Sequence, residues 1–113
     1  MTYDQVLDTL RSYKGVICRI KAIEEEQVAL TKSGVKADEL SQLMVQEMDA
    51  LLQERMEIER LIRLAKTQRQ KNVLMLRYIH GWSVGRMCIE LEKDPSTLLQ
   101  LQKRAIESIA ERM

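Results

Sequence analysis

Apolar residues recur every three or four positions along most of this chain, and that spacing predicts helices. Val6, Leu7, Leu10, Tyr13, Ile17, Ile20 and Ile23 form one stripe, over a helix from about Thr2 to Leu30. Thr2 is placed to cap its start, with Asp4 and Gln5 in the first turn. The stripe fades through Glu24-Glu25-Glu26, which reads as a solvated face, and the polar segment TKSGVKAD (31–38) reads as a loop. Asp38 stands as N-cap of a second helix, from about Glu39 to Lys66. In it Met44, Met48, Leu51, Arg55, Ile58, Ile62 and Ala65 are spaced alternately four and three, a heptad seam with one charged member. Leu40, Leu43, Leu52 and Leu61 widen the seam, so more than one neighbour is expected. Either the two helices form a hairpin that packs on itself, or the seam is a coiled-coil-like dimer or partner interface. In the second case Met44, Met48, Leu51, Arg55, Ile58 and Ile62 make the contacts.

Thr67-Gln68-Arg69-Gln70 has the pattern of a capping box, which places a new helix start there. A third helix over 68–79 carries Val73, Leu74, Leu76 and Ile79, and ends at His80-Gly81 with Gly81 as its C′ residue. Ser83 can cap a short helix from Val84 to Leu91. Asp94 can cap another, with Pro95 at the first helical position, where its missing N–H costs nothing. Eight residues, a three-residue connection and a longer helix match a helix-turn-helix. The small Cys88 would sit where the helices cross, Met87, Leu91, Leu98 and Leu101 would interlock, helix 68–79 would close the third side, and Trp82 would cover the edge. The expected fold is all-α: a long helical hairpin, 1–66, for dimerisation or partner binding, then a three-helix helix-turn-helix module, 67–113.

Charge sharpens this division. Residues 1–65 hold nine Lys and Arg against twelve Asp and Glu, whereas residues 66–113 hold nine against five. The basic half is the one expected to meet an anionic partner. The only cysteines, Cys18 and Cys88, make no disulfide or metal framework, and both read as packed thiols. His80 reads as a structural residue at a helix end. With no metal-spaced His/Cys set, Gly-rich phosphate loop or nucleophile–base pair, neither enzyme chemistry nor a cofactor is expected. With no apolar run of spanning length and no cleavable signal, the expected location is the cytoplasm, here of a bacterial host cell, with no membrane partner.

The stretch LRYIHGWSVGRMCIELEKDPSTLLQLQKRAIESI resembles region four of bacterial sigma factors. The resemblance rests on Leu76-Arg77-Tyr78, Gly81, Met87-Cys88, Asp94 and Arg104-Ala105, and covers about residues 70–110. A long hairpin before such a module is similar to small transcription regulators of phages of Gram-positive bacteria. The resemblance implies a promoter-binding regulator, with double-stranded DNA as partner and RNA polymerase or a second copy of the chain as further candidates. The chain departs from the family pattern at Glu92 (usually Gly), Lys93 (usually apolar) and Leu99 (usually a polar reader).

Helix-turn-helix geometry puts the N-terminal residues of the second helix against base edges, which selects Ser96, Thr97, Leu99, Gln100 and Lys103. Gln suits adenine, and Leu99 suits a thymine methyl. Phosphate contacts fall to Arg86, Lys93, Lys103 and Arg104, with Arg69, Lys71 and Arg77 as further candidates. The rival expectation is a protein–protein module with a degenerate helix-turn-helix that binds polymerase or another phage regulator. A third is an assembly protein using the heptads alone.

Overall fold

The computed structural model describes residues 1–34 and 38–113. Among them the protein is 86% helical with no strand. Five α-helices follow in order: α1 (Tyr3–Ser33), α2 (Asp38–Arg63), α3 (Gln68–Leu74), α4 (Val84–Leu91) and α5 (Pro95–Arg112). α1 starts where Thr2 predicts. Thr2 Oγ1 accepts from the Gln5 N–H at 3.2 Å and Gln5 Oε1 accepts from the Thr2 N–H at 2.9 Å, so two otherwise orphaned donors are satisfied reciprocally. The helix runs three residues beyond the expected end at Leu30 and stops before Gly34, at φ +69°. Of the expected loop, residues 35–37 and the capping side chain of Asp38 lie outside the described residues.

The chain divides into two compact units that do not follow the expected boundary at 66/67. One comprises residues 1–14 and 58–113, the other residues 15–57. The ends of the two long helices belong with the C-terminal helices because their stripes supply that core. Val6, Leu10 and Tyr13 from α1 are buried there, as are Ile58, Leu61 and Ile62 of α2 and Ala105, Ile106 and Ile109 of α5. Tyr13 donates from its hydroxyl to Glu59 Oε1 at 3.1 Å. The two units also differ in charge. The first holds thirteen Lys and Arg against eight Asp and Glu; the second holds five against nine.

In the unit 15–57, Val16, Ile20, Ile23 and Met44 are buried. Arg19 reaches across from α1 to Glu47 of α2 with Nε–Oε1 2.6 Å and a second bond of 3.0 Å to Oε2. The guanidinium's hydrogen bond holds the Glu47 carboxyl below the usual carboxylate range. Two parallel bonds fix a side-chain orientation, although an exposed pair adds little stability.

Within the single chain the heptad seam faces inward. Met44, Ile58 and Ile62 are 4%, 1% and 1% exposed within the single chain, and Met48, Leu51 and Arg55 are half-buried. Arg55 Nε is buried with no hydrogen-bond partner among the described residues. The seam is also split between the units, with Met44 to Arg55 in one and Ile58 onward in the other.

α2 ends at Arg63, three residues short of Lys66. A tighter turn closes it, with Leu64 N–H on Leu61 O and Ala65 N–H on Ile62 O. Thr67 caps α3 as predicted, accepting from the Gln70 N–H at 3.1 Å. The second half of the capping box is re-aimed. Gln70 Oε1 accepts instead from the Lys66 N–H at 3.1 Å and from the Ser108 hydroxyl at 3.0 Å, and Lys66 N–H also lies 3.2 Å from Ser108 Oγ. Ser108 is 7% exposed. The Ser108 hydroxyl also lies 2.7 Å from the Ala105 carbonyl oxygen, so it is satisfied within α5; the orphaned N–H just past the end of α2 is what needs a partner, and Gln70 Oε1 supplies it.

The expected α-helix over 68–79 is α-helical only to Leu74. Met75–Ile79 widen into a π-helix, with His80 N–H bonded to Met75 O at 2.9 Å. Gly81, at φ +71°, then reverses the chain, and Trp82 N–H reaches Leu76 O at 2.9 Å. That positive φ is what a glycine at C′ tolerates without strain.

Candidate nucleic-acid interface

α4 begins and ends, and α5 begins, where the local sequence places them. Ser83 is extended (φ −70°, ψ 158°) and its side chain accepts from the Arg86 N–H at 3.1 Å. Asp94 is extended too (φ −78°, ψ 159°) and accepts from the Thr97 N–H at 2.7 Å, with Pro95 first in the helix. Between them Glu92 adopts the left-handed conformation, φ 53° and ψ 45°, and Lys93 N–H returns to Cys88 O at 3.2 Å. This turn needs a positive φ, and the chain meets it without glycine. Replacing Glu92 with Gly is therefore expected to raise stability. The left-handed form costs an L-residue about 1–2 kcal/mol, and the extra unfolded-state freedom of Gly returns about 0.5–1 kcal/mol. A net gain of roughly 0.5–1 kcal/mol should show as a higher urea midpoint at unchanged slope. A lower midpoint for Glu92→Gly would mean that the glutamate side chain holds the turn.

The module has its own small core. Val73, Met87 and Leu98 are 3%, 2% and 3% exposed, and Leu76, Trp82, Cys88, Leu91 and Leu101 pack against them. Met87, Leu91, Leu98 and Leu101, the interlocking residues expected from the spacing, are all in this cluster, and Cys88 and Trp82 pack on it partly buried. Lys93 is half-buried, which fits a stem lying along the turn with its head in water.

The structure places Ser96, Thr97, Leu99, Gln100, Lys103 and Arg104 all on the exposed side of α5. Ser96, Leu99, Gln100 and Lys103 follow one another at steps of three, one and three, and so share a face. The hydroxyl of Ser96 lies 3.5 Å from Asp94 Oδ1. Hydrogen bonds from Thr97, the hydroxyl first and then the backbone N–H, hold the Asp94 carboxyl below the usual aspartate range. The sign of the resulting pH dependence follows. A depressed carboxylate stabilises the fold above its unfolded pKa, and that contribution disappears as pH falls through the folded value, below about pH 4. The melting-temperature gap between wild type and Asp94→Ala should thus narrow from pH 7 to about pH 3. A gap of constant size would show that Asp94 does not act as an ionised cap.

Two expected phosphate contacts have partners inside the protein. The Arg86 guanidinium lies over the Trp82 ring, 4.1 Å from its centroid, and Arg77 donates to the Trp82 carbonyl at 3.2 Å. Arg86 remains exposed, so the ring pre-orients it, whereas Arg77 is half-buried and serves the turn. Tyr78 accepts from Gln102 Nε2 at 2.9 Å, and burial pushes its hydroxyl pKa up. The Trp82–Arg86 stack was readable from an i, i+4 spacing, but the Tyr78–Gln102 bond joins elements 24 residues apart. Sequence reasoning also passed over Ile89. It is 78% exposed on α4, off the buried face formed by Val84, Met87, Cys88 and Leu91.

Among the described residues no group of three or more His, Cys, Asp or Glu side chains could hold a metal ion, and no helix is long and apolar enough to cross a membrane. Compared with protein-family models, with curated proteins and with solved structures, the chain matches none.

Proposed function

We propose that this protein is a DNA-binding transcription regulator, encoded by a phage or prophage, that acts at promoters together with RNA polymerase. One observation carries the reading. A polar, cation-bearing face of α5 (Ser96, Thr97, Gln100, Lys103, Arg104) is left outward by a helix-turn-helix whose inner face is fully used. The excess of positive charge in the unit that contains it supports the reading. So does the resemblance of Leu76–Ala105 to region four of sigma factors. On this reading Gln100 and the hydroxyls of Ser96 and Thr97 meet base edges. Lys103, Arg104, Lys93 and Arg86 meet phosphates.

The test contrasts two single variants. Gln100→Ala should lose about 1–3 kcal/mol on a selected duplex and relax its preference at one position. Arg104→Ala should weaken binding to every sequence alike and lower the salt slope by about one unit. If both variants melt like wild type and neither changes DNA binding at any salt, the reading fails. The second reading, a protein-interaction module, draws on Ile89, whose exposure on α4 has no use in DNA contact, and on Glu90 and Glu92 beside it. It predicts that the wild-type protein shows no salt-dependent DNA binding, while Ile89→Ser abolishes capture of RNA polymerase.

A further inference from the structure

We propose that one outward flank of α2, from Leu40 to Glu57, is a docking surface for a basic amphipathic helix of another protein. The proposal is independent of the DNA-binding reading of α5. Beside the inward seam, α2 carries a second stripe of the same spacing. Leu40, Leu43, Glu47, Ala50, Glu54 and Glu57 follow one another at alternate steps of three and four, and Leu61 continues the pattern. The first six are exposed, Leu40 at 48% and Leu43 at 62%, whereas Leu61, in the other unit, is 5% exposed. The stripe is therefore covered at its Leu61 end and open over the rest. A hairpin of two helices buries one face of each and leaves such a flank without a neighbour. Two leucines one turn apart on that flank gain nothing from the fold, and become useful when a third helix covers them.

Charge decides which helix fits. The open stripe holds three glutamates and no cation. The flank of α1 beside it adds Arg19 and Glu26, and Arg19 is already held, 2.6 Å from Glu47 and 3.8 Å from Glu26. The other described cations of residues 15–57 lie elsewhere. Lys21 and Lys32 stand about 140–160° around α1 from Arg19, and the half-buried Arg55 belongs to the inward seam. Glu54 and Glu57 have no ion pair among the described residues. A second copy presenting the same stripe would set glutamates against leucines or against glutamates, which costs free energy in either direction. The fitting occupant has apolar residues at one end, over Leu40 and Leu43, and Lys or Arg at the other, over Glu54 and Glu57. The small Ala50 between them lets the two helix axes approach. From Leu40 to Glu57 the stripe is about 26 Å long, five turns of the incoming helix.

The test selects a phage-displayed library of random peptides, each about 18 residues long to match the stripe, on the full-length protein. Enriched peptides are then synthesised and titrated by fluorescence anisotropy. They should carry apolar residues and Lys or Arg on one helical face, at opposite ends. Leu43→Ser should weaken them about tenfold, the lower transfer value of one buried leucine. Glu54→Lys together with Glu57→Lys should weaken them by a similar factor, and the same peptides with Lys and Arg changed to Glu should bind that variant in their place. All three positions are exposed, so both variants should melt like wild type. Enrichment of acidic or uncharged peptides, full affinity in either variant, or no enrichment at all would overturn the docking surface. None of these outcomes touches the DNA-binding reading, because no substituted residue lies in the helix-turn-helix.

Discussion

Ile58→Asp is expected to leave the protein largely unfolded at 25 °C. Ile58 is 1% exposed, and the unit that buries it also holds Val6, Leu10, Leu61 and Ile62 in its core. Truncating a buried isoleucine costs about 2–5 kcal/mol. Placing an unpaired carboxylate there adds several more, and some of that is relieved only by taking up a proton. The total approaches or exceeds the roughly 5–15 kcal/mol that holds a small domain together. Helical circular dichroism should collapse and the thermal transition should vanish. The same substitution at the half-buried Leu51, in the other unit, should be milder. Had the seam been an interface between copies, Ile58→Asp would give a folded chain of half the mass. A wild-type melt with a changed mass would restore that view.

The second large effect is a contrast between neighbours. Leu98→Ala should cost about 2–5 kcal/mol, because Leu98 fills the space between Val73 and Met87 and a cavity would remain. Leu99→Ala, one residue on, should change stability by less than about 0.5 kcal/mol, as exposed substitutions do. In DNA binding the order reverses. Leu99→Ala should alter sequence preference in a folded protein, whereas Leu98→Ala should weaken all binding in proportion to the unfolded fraction. Urea titrations of the two variants check the first half. Equal destabilisation by both would mean that α5 is rotated from the orientation described.

The outward face of α5 was legible in the sequence because helical period assigns sides. Once Leu98, Leu101 and Ala105 are inside, Ser96, Gln100 and Lys103 must be outside. Ile89 could have been found by the same argument applied to α4. The partner of Arg86 was also within local reach, four residues away at Trp82. What could not be read was which outward cations the protein itself engages, since Arg77 is tied to a carbonyl set by the turn at Gly81.

By itself the sequence determined the helical class and where each of the module's helices starts. Ser83, Asp94-Pro95 and Gly81 act on backbone groups within three or four residues of themselves, so their effect does not depend on the rest of the fold. Thr2 and Thr67 cap their helices for the same reason. Tertiary structure decided everything that needs a distant partner. The seam of α2 could equally have faced a second copy, and only the burial of Met44, Ile58 and Ile62 within one chain made it internal. The amide of Gln70 meets the Lys66 N–H and also the Ser108 hydroxyl, 38 residues away, a partner that no local pattern names. The division into units fell inside both long helices, since hydrogen bonding along a helix is continuous while its stripe can serve two cores in turn. Periodicity names the face that must be covered; it carries no information about what covers it.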